Sequence, residues 1–197
     1  GLGDRRGPYG ACVARDRGVA SFDALTHLSV GAYAPRTVNA VVEVPQGSSN
    51  KIEYDEKLGA FALDRVLYSP MHYPGDYGFI PSTLAADGDP LDVLVLVTHP
   101  TYPGVVISVR PIGYLQMSDE KGEDQKVLAV PTVDPRFAEH QDVSDMPAHV
   151  RAEIEHFFAI YKELEGKTVT IGAWHDRTQA LALIEEAVDR FTAVLPE

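Results

Sequence analysis

From Asn39 onward the chain is cut into short apolar or alternating runs, each stopped by proline or glycine. That punctuation sets narrow limits on the fold. Asn39–Val44, Lys51–Asp55, Phe61–Val66, Asp92–Val97, Val105–Met117, Lys126–Val130 and Thr168–Trp174 read as strands. Between them stand turn signals: Pro45-Gln46-Gly47, Leu58-Gly59, Pro74-Gly75, Gly88 and Pro103-Gly104. Many short strands joined by such turns predict a closed or nearly closed β-barrel. The longest apolar run, Val93–Val97, is far too short to cross a bilayer, so no membrane partner is expected.

Two helices are predicted to close the chain and pack on the barrel. In the first, Val150, Ile154, Phe157, Phe158 and Tyr161 share a face at helical spacing. Ser144 or Asp145 caps its start, Pro147 lies in its first turn and Gly166 stops it. In the second, Asp176 caps, and Leu181, Ile184, Val188 and Phe191 form the buried stripe. Residues 39–197 are therefore expected to be a single domain. Residues 1–38 read as an N-terminal extension, flexible or vector-derived, with Gly1 reflecting processing or a leader. Its start is rich in arginine, which also suits an organellar targeting remnant. The single cysteine, Cys12, cannot form an internal disulfide. That fits a reducing compartment, and a cytoplasmic location is the expectation.

Charge narrows the function classes. Acidic residues outnumber basic ones 29 to 17, a formal net charge of −12. Such a chain repels nucleic acid and anionic membrane and favours cations. Between Arg65 and Arg110 there is no Lys or Arg, and the carboxylates of Asp76, Asp87, Asp89 and Asp92 fall in that gap. The turn Asp87-Gly88-Asp89-Pro90-Leu91-Asp92 crowds three of them, and they repel unless solvated or bridged by cations. From this segment alone an exposed acidic turn and a site for a hard cation such as Mg²⁺ are equal readings. A second acidic cluster, Ser118 to Lys126, reads alone as a solvated hairpin loop. Placed on one small barrel, Asp87, Asp92, Asp119 and Asp124 would line one mouth able to hold more than one divalent ion. Glu43, Lys51, Glu53, Arg65 and Lys126 lie in or beside strands, and Tyr161-Lys162 ends the first helix. Carboxylates for metal with Lys, Arg and Tyr donors are the equipment of phosphoryl transfer. Tyr73 and Tyr77, in an aromatic segment read as a turn, can also reach such a site. No HxxxH, HExxH, P-loop or GxSxG pattern occurs, which argues against zinc-hydrolase and covalent serine chemistry.

These residues resemble the family I soluble inorganic pyrophosphatases. Asp87-Gly88-Asp89-Pro90-Leu91-Asp92 matches that family's D-x-D-P-x-D motif. The similarity runs from about Asn39 to Phe191 and includes Glu43, Lys51-Ile52-Glu53, Asp64-Arg65, Tyr73 to Gly78, Asp119, Asp124, Lys126, His156-Phe157-Phe158 and Tyr161-Lys162. Asp76 stands where many relatives carry Asn. The resemblance implies an α+β, mainly β fold: a five-stranded OB-like barrel with two C-terminal helices packed on it. It implies hydrolysis of pyrophosphate to two orthophosphates, dependent on Mg²⁺, with Mn²⁺ or other divalent ions as substitutes. By position, Asp87, Asp92 and Asp119 would hold the first metal, with Asp92 shared by a second. Asp119, Asp124, Glu43 and Glu53 would serve metals arriving with substrate. Lys51, Arg65, Tyr73, Lys126, Tyr161 and Lys162 would grip the phosphates. Asp89 would be the general base for a metal-bridged water, with Tyr77 beside it and no covalent intermediate. A homo-oligomer is implied, a hexamer before a dimer.

Two other readings compete. A non-catalytic cation module explains the carboxylates but not Lys51, Arg65, Lys126 and Lys162. An oligonucleotide-binding barrel follows from fold type alone and conflicts with the charge.

Overall fold

The computed structural model describes residues 25–195. Five strands close a ring: β1 (Val38–Val44), β4 (Asp76–Ile80), β5 (Leu91–Val95), β7 (Gly122–Pro131) and β6 (Val106–Asp119), with β6 returning to β1. Neighbours are antiparallel except β5 and β7, which run parallel with Val93 opposite Val127. β8 (Thr170–His175) extends the outer end of β6. β2 (Asn50–Asp55) and β3 (Ala60–Val66) form a separate hairpin. Helices α1 (Ala148–Ile160) and α2 (Arg177–Val194) complete the fold. The expected mainly β architecture is observed, with the ring consistent with an OB-like barrel. Among the described residues no helix is long and apolar enough to cross a membrane.

The core has two clusters, one receiving α1 and the other α2. On β5, Leu94 joins the α1 cluster with Phe157 and Phe158, while Val93 and Val95 join the α2 cluster with Ile184 and Ala187. On β7, Leu128 and Val130 take the first side, Val127 and Ala129 the second. Strands covered on both faces need apolar residues at every position. This is why Val93–Val97 reads as an unbroken run.

The structure corrects several local expectations. Asp76–Ile80, read as an aromatic turn, is the fully buried strand β4. Its sequence hides this because Asp76 and Gly78 are poor strand residues in isolation. Tertiary contacts explain both. The Asp76 carboxylate accepts from Gln46 N, Thr101 N and Thr101 Oγ1 at 2.8, 3.0 and 2.6 Å. At Gly78 a Cβ would stand 1.8 Å from the Val41 carbonyl oxygen, so only glycine lets β1 and β4 approach. The acidic segment from Ser118 is likewise hairpin, not loop: β6 and β7 carry it, and only Glu120-Lys121 lie between them. Helix α1 starts later than expected. Val143–Asp145 form a 3-10 turn capped by Asp142, and Pro147 takes the N-cap of α1. Gly166, at φ 73°, ends a further 3-10 turn, Glu163–Glu165, rather than α1 itself. Asp176 caps α2 as expected, through a capping box with Gln179. The α2 stripe is buried at Ala180, Ile184 and Ala187, with Leu181, Val188 and Phe191 half-buried.

Of the expected extension, residues 25–38 lie against the barrel. The Asn39 amide donates to the Val30 carbonyl at 2.8 Å, and the Ser82 amide to the Thr26 carbonyl at 2.7 Å. Cys12 and the arginine-rich start lie outside the described residues.

Candidate active site

A bulge in β1 places the first carboxylate. Val42 pairs with Gly78 and Val44 with Tyr77, leaving Glu43 as the extra residue. The bulge turns Val44 to the α1 cluster although Val42 belongs to the α2 cluster. Glu43 comes to line a cavity of about 210 Å³ at one end of the ring. The hairpin adds Lys51 and Glu53 from β2 and Arg65 from β3, where a second bulge sets Lys51 opposite Arg65. Tyr77 comes from β4, and Asp92 from β5. Asp87 and Asp89 come from the turn before β5. Asp119 ends β6, while Asp124 and Lys126 share one face of β7 by the two-residue period. Tyr161 and Lys162 follow α1. Thus every expected site residue but one lines a single cavity.

The exception is Tyr73. It does not line this cavity; it is buried in the core, with ring centroids 5.2 Å from Tyr77 and 4.8 Å from Phe157. Its ring packs in the core, while its hydroxyl feels Tyr161, Lys126, Arg65 and Asp92, the groups just inside the cavity wall. Burial raises the Tyr73 hydroxyl pKa far above its ordinary range.

The cations and carboxylates are interleaved. Lys126, its side chain 6% exposed, reaches Asp92 at 2.5 Å and Asp124 at 2.7 Å. It stands 5.7 Å from the Tyr77 ring centroid. Lys162 meets Asp119 at 3.0 Å, and Lys51 contacts Glu53 and Asp64. Arg65 is held by Asp64 at 2.5 Å and by Glu165 at 2.8 Å, with the Glu165 side chain only 7% exposed. Glu165 was not legible beforehand: it lies 100 residues from Arg65, on a turn with no motif. Glu120, Lys121, Glu123 and Lys167 also line the cavity, drawn there by the hairpin and the turn after α1.

Negative charge remains in excess. Burial opposes the charge on Lys126, but Asp92 and Asp124 outweigh it and hold the ammonium protonated well above its ordinary pKa. Asp124 is nonetheless pushed up, because burial and repulsion from Asp92 exceed what one shared lysine returns. Asp89 is raised by burial and then by Asp87 and Asp92. Burial raises Glu43 to about 8, with Asp92 and Glu53 adding to the shift and the Tyr54 amide opposing it. Asp119, by contrast, goes down: burial works against it, but the Lys121 amide and Lys162 prevail. Tyr77, fully enclosed, has its hydroxyl raised well out of reach of ionisation, so it is a neutral donor.

Among the described residues no three His, Cys, Asp or Glu side chains converge into a ready-made metal cage. Asp92, Asp119 and Asp124 turn instead toward lysines. The donor set still fits a hard divalent cation: carboxylate oxygens from separate strands face one cavity and are underneutralised. No histidine lines the cavity.

A pH prediction follows from Glu43. In the cation-free protein its folded pKa lies above the unfolded value, so the folded state binds more protons between them. Stability is then present at the lower pH and is lost as pH rises through about 8. Asp124 and Asp89 act with the same sign. In EDTA, urea unfolding is expected to show a loss of about 2–3 kcal/mol between roughly pH 5.5 and 8, and Glu43→Gln should flatten most of it. A wild-type profile already flat over that range would contradict the buried carboxyl.

Comparisons with known proteins converge. The family model described as inorganic pyrophosphatase matches residues 40–192. An inorganic pyrophosphatase of Halalkalibacterium halodurans is 52% identical over 160 residues, covering 81% of this chain and 98% of the relative. One from Sulfolobus acidocaldarius is 53% identical over 166 residues, covering 83% and 96%. The crystal structure of the inorganic pyrophosphatase from Thermus thermophilus superposes with a TM-score of 0.84 at 53% identity, covering 85% of this chain and 98% of that one.

Proposed function

We propose, for a chain that belongs to the inorganic pyrophosphatase family and hydrolyses pyrophosphate, that the cavity works with Mg²⁺ and without a covalent intermediate. The observation that carries this reading is the pairing within one cavity of excess carboxylates with Lys51, Arg65, Lys126, Lys162 and two tyrosines. Pyrophosphate presents dense negative charge, and its hydrolysis needs that charge neutralised at both phosphates.

Asp87, Asp92, Asp119 and Asp124, with Glu43 and Glu53, would hold the divalent ions. Bound there, Mg²⁺ supplies positive charge that offsets the phosphate oxygens and makes water more acidic. The residues of the chain do the remainder. Lys51, Arg65, Lys126 and Lys162 engage phosphate oxygens as their present carboxylate partners turn to cations. The Tyr77 and Tyr161 hydroxyls donate hydrogen bonds. Asp89 stands exposed on its turn with a raised pKa, suited to take a proton from the attacking water. Water attacks one phosphorus, its oxygen forms the new P–O bond, and the bridging P–O bond breaks. The departing phosphate carries the electron pair, and the proton passes to Asp89. Tyr73, its ring in the aromatic core, supports Tyr77, and its hydroxyl lies near the phosphate-binding cations Lys126 and Arg65.

A homo-oligomer, a hexamer before a dimer, and a cytoplasmic setting belong to this reading. Light scattering tests the first.

Phosphate release from pyrophosphate in millimolar Mg²⁺ is expected to be fast and to be abolished by EDTA. Mn²⁺ should restore part of it. Undiminished release in EDTA from protein stripped of metal would overturn the dependence on divalent ions. No release from folded, Mg²⁺-binding protein would favour a non-catalytic cation module.

A further inference from the structure

The turn that carries Asp87 and Asp89 is tied to a helix outside the cavity. Leu84 lies three residues before Asp87. Its amide donates to the Ala187 carbonyl of α2 at 2.9 Å, and its own carbonyl accepts from Arg190 Nη1 at 2.9 Å. Arg190 lies 106 residues from Leu84, and Glu186, one helical turn earlier, pairs with it at 3.2 Å. From there the turn closes on itself. The Ala85 amide donates to the Asp89 carbonyl at 2.8 Å, the Gly88 amide to the Ala85 carbonyl at 3.1 Å, and the Asp89 amide to Asp87 Oδ1 at 3.1 Å. This chain of bonds links Leu84 to both carboxylate-bearing residues. Asp87, Gly88 and Asp89 are exposed and have no core contact of their own to resist it.

We propose that Arg190 is a positioning residue for pyrophosphate hydrolysis: by holding the Leu84 carbonyl it sets where Asp87 and Asp89 stand relative to Asp92. The inference rests on the reading of Asp87 as a cation ligand and Asp89 as the base. Its guanidinium suits the task because it bonds the loop and Glu186 at the same time, which an apolar side chain of similar length cannot do.

Three variants test it: Arg190→Met, Arg190→Lys, and Ile184→Val as a core control on the same helix. Three quantities are read on each: Mn²⁺ affinity without substrate by electron paramagnetic resonance, hydrogen exchange of amides 84–89, and kcat and KM in Mg²⁺. Arg190→Met is expected to weaken cation affinity about tenfold, lower kcat and speed exchange in the turn. KM for pyrophosphate should stay near wild type, because its phosphate contacts come from other elements. Arg190→Lys should recover part of the cation affinity. Ile184→Val should lower Tm without moving Mn²⁺ affinity. Cation affinity and exchange unchanged in Arg190→Met would overturn the inference. So would the same losses in Ile184→Val, which would make the effect general destabilisation. A wild-type protein indifferent to divalent ions would instead overturn the metal reading, and the exchange comparison would still decide whether Arg190 holds the turn.

Discussion

Asp89→Asn is expected to lower kcat by about 10²–10⁴-fold while KM and divalent-cation affinity change little. The substitution keeps shape and most hydrogen bonding but removes the capacity to take a proton. Asp89 differs from Asp92 in its partners. Asp92 is engaged by Lys126, whereas the Asp89 carboxylate has no basic partner within salt-bridge distance among the described residues. Its pKa is pushed up by partial desolvation at the cavity rim and by Asp87 and Asp92, which makes it a stronger base than an isolated aspartate. Single-turnover phosphate release at saturating Mg²⁺ separates the possibilities. Slow chemistry with normal cation binding supports the base. A large loss of cation affinity with intact turnover at saturation would make Asp89 a ligand instead.

Lys126→Met is expected to be costly in a different way. It removes the one ammonium shared by Asp92 and Asp124, leaving two half-buried carboxylates to repel each other. Breaking a buried pair from one side costs about 3–5 kcal/mol, and the exposure of the aspartates places this case near the lower end. Asp124 is raised even beside Lys126 and rises further without it, so the folded variant takes up a proton at low pH and the loss should grow from about pH 6 to 9. Urea unfolding in EDTA measures it. Mg²⁺ should return part of the stability, since a divalent ion can replace the ammonium between the same carboxylates. Activity should not return with it, because the phosphate loses its buried cation. Full stability of the variant in EDTA would mean the ion pair contributes nothing net.

The reading of particular residues shows where local information suffices. The turn from Asp87 to Asp92 was legible because its chemistry is local: three carboxylates, a glycine and a proline within six residues. The apolar run after it was legible as a strand for the same reason. Lys51 with Glu53, and Asp124 with Lys126, follow from a two-residue period that any strand imposes. β4 was not legible, since Asp76 and Gly78 contradict strand propensity until their partners are known. The burial of Tyr73 was not legible either: its type and spacing suit a phosphate contact, and only the fold shows its ring packed on Phe157 behind the cavity.

The residue types, the acidic balance and the order of short strands were written along the chain, because charge, turn chemistry and periodicity act between near neighbours. They sufficed for a mainly β fold and for most of the residues that line the cavity, while the expected reaction came from the family resemblance those residues carry. The bulge that aims Glu43, the hold of Glu165 on Arg65 and the tie from Arg190 to Leu84 emerged only on folding. Each joins groups remote in sequence, up to 106 residues apart. Nothing local marks such pairs, because their energies depend on distances and burial that exist only once the ring has closed.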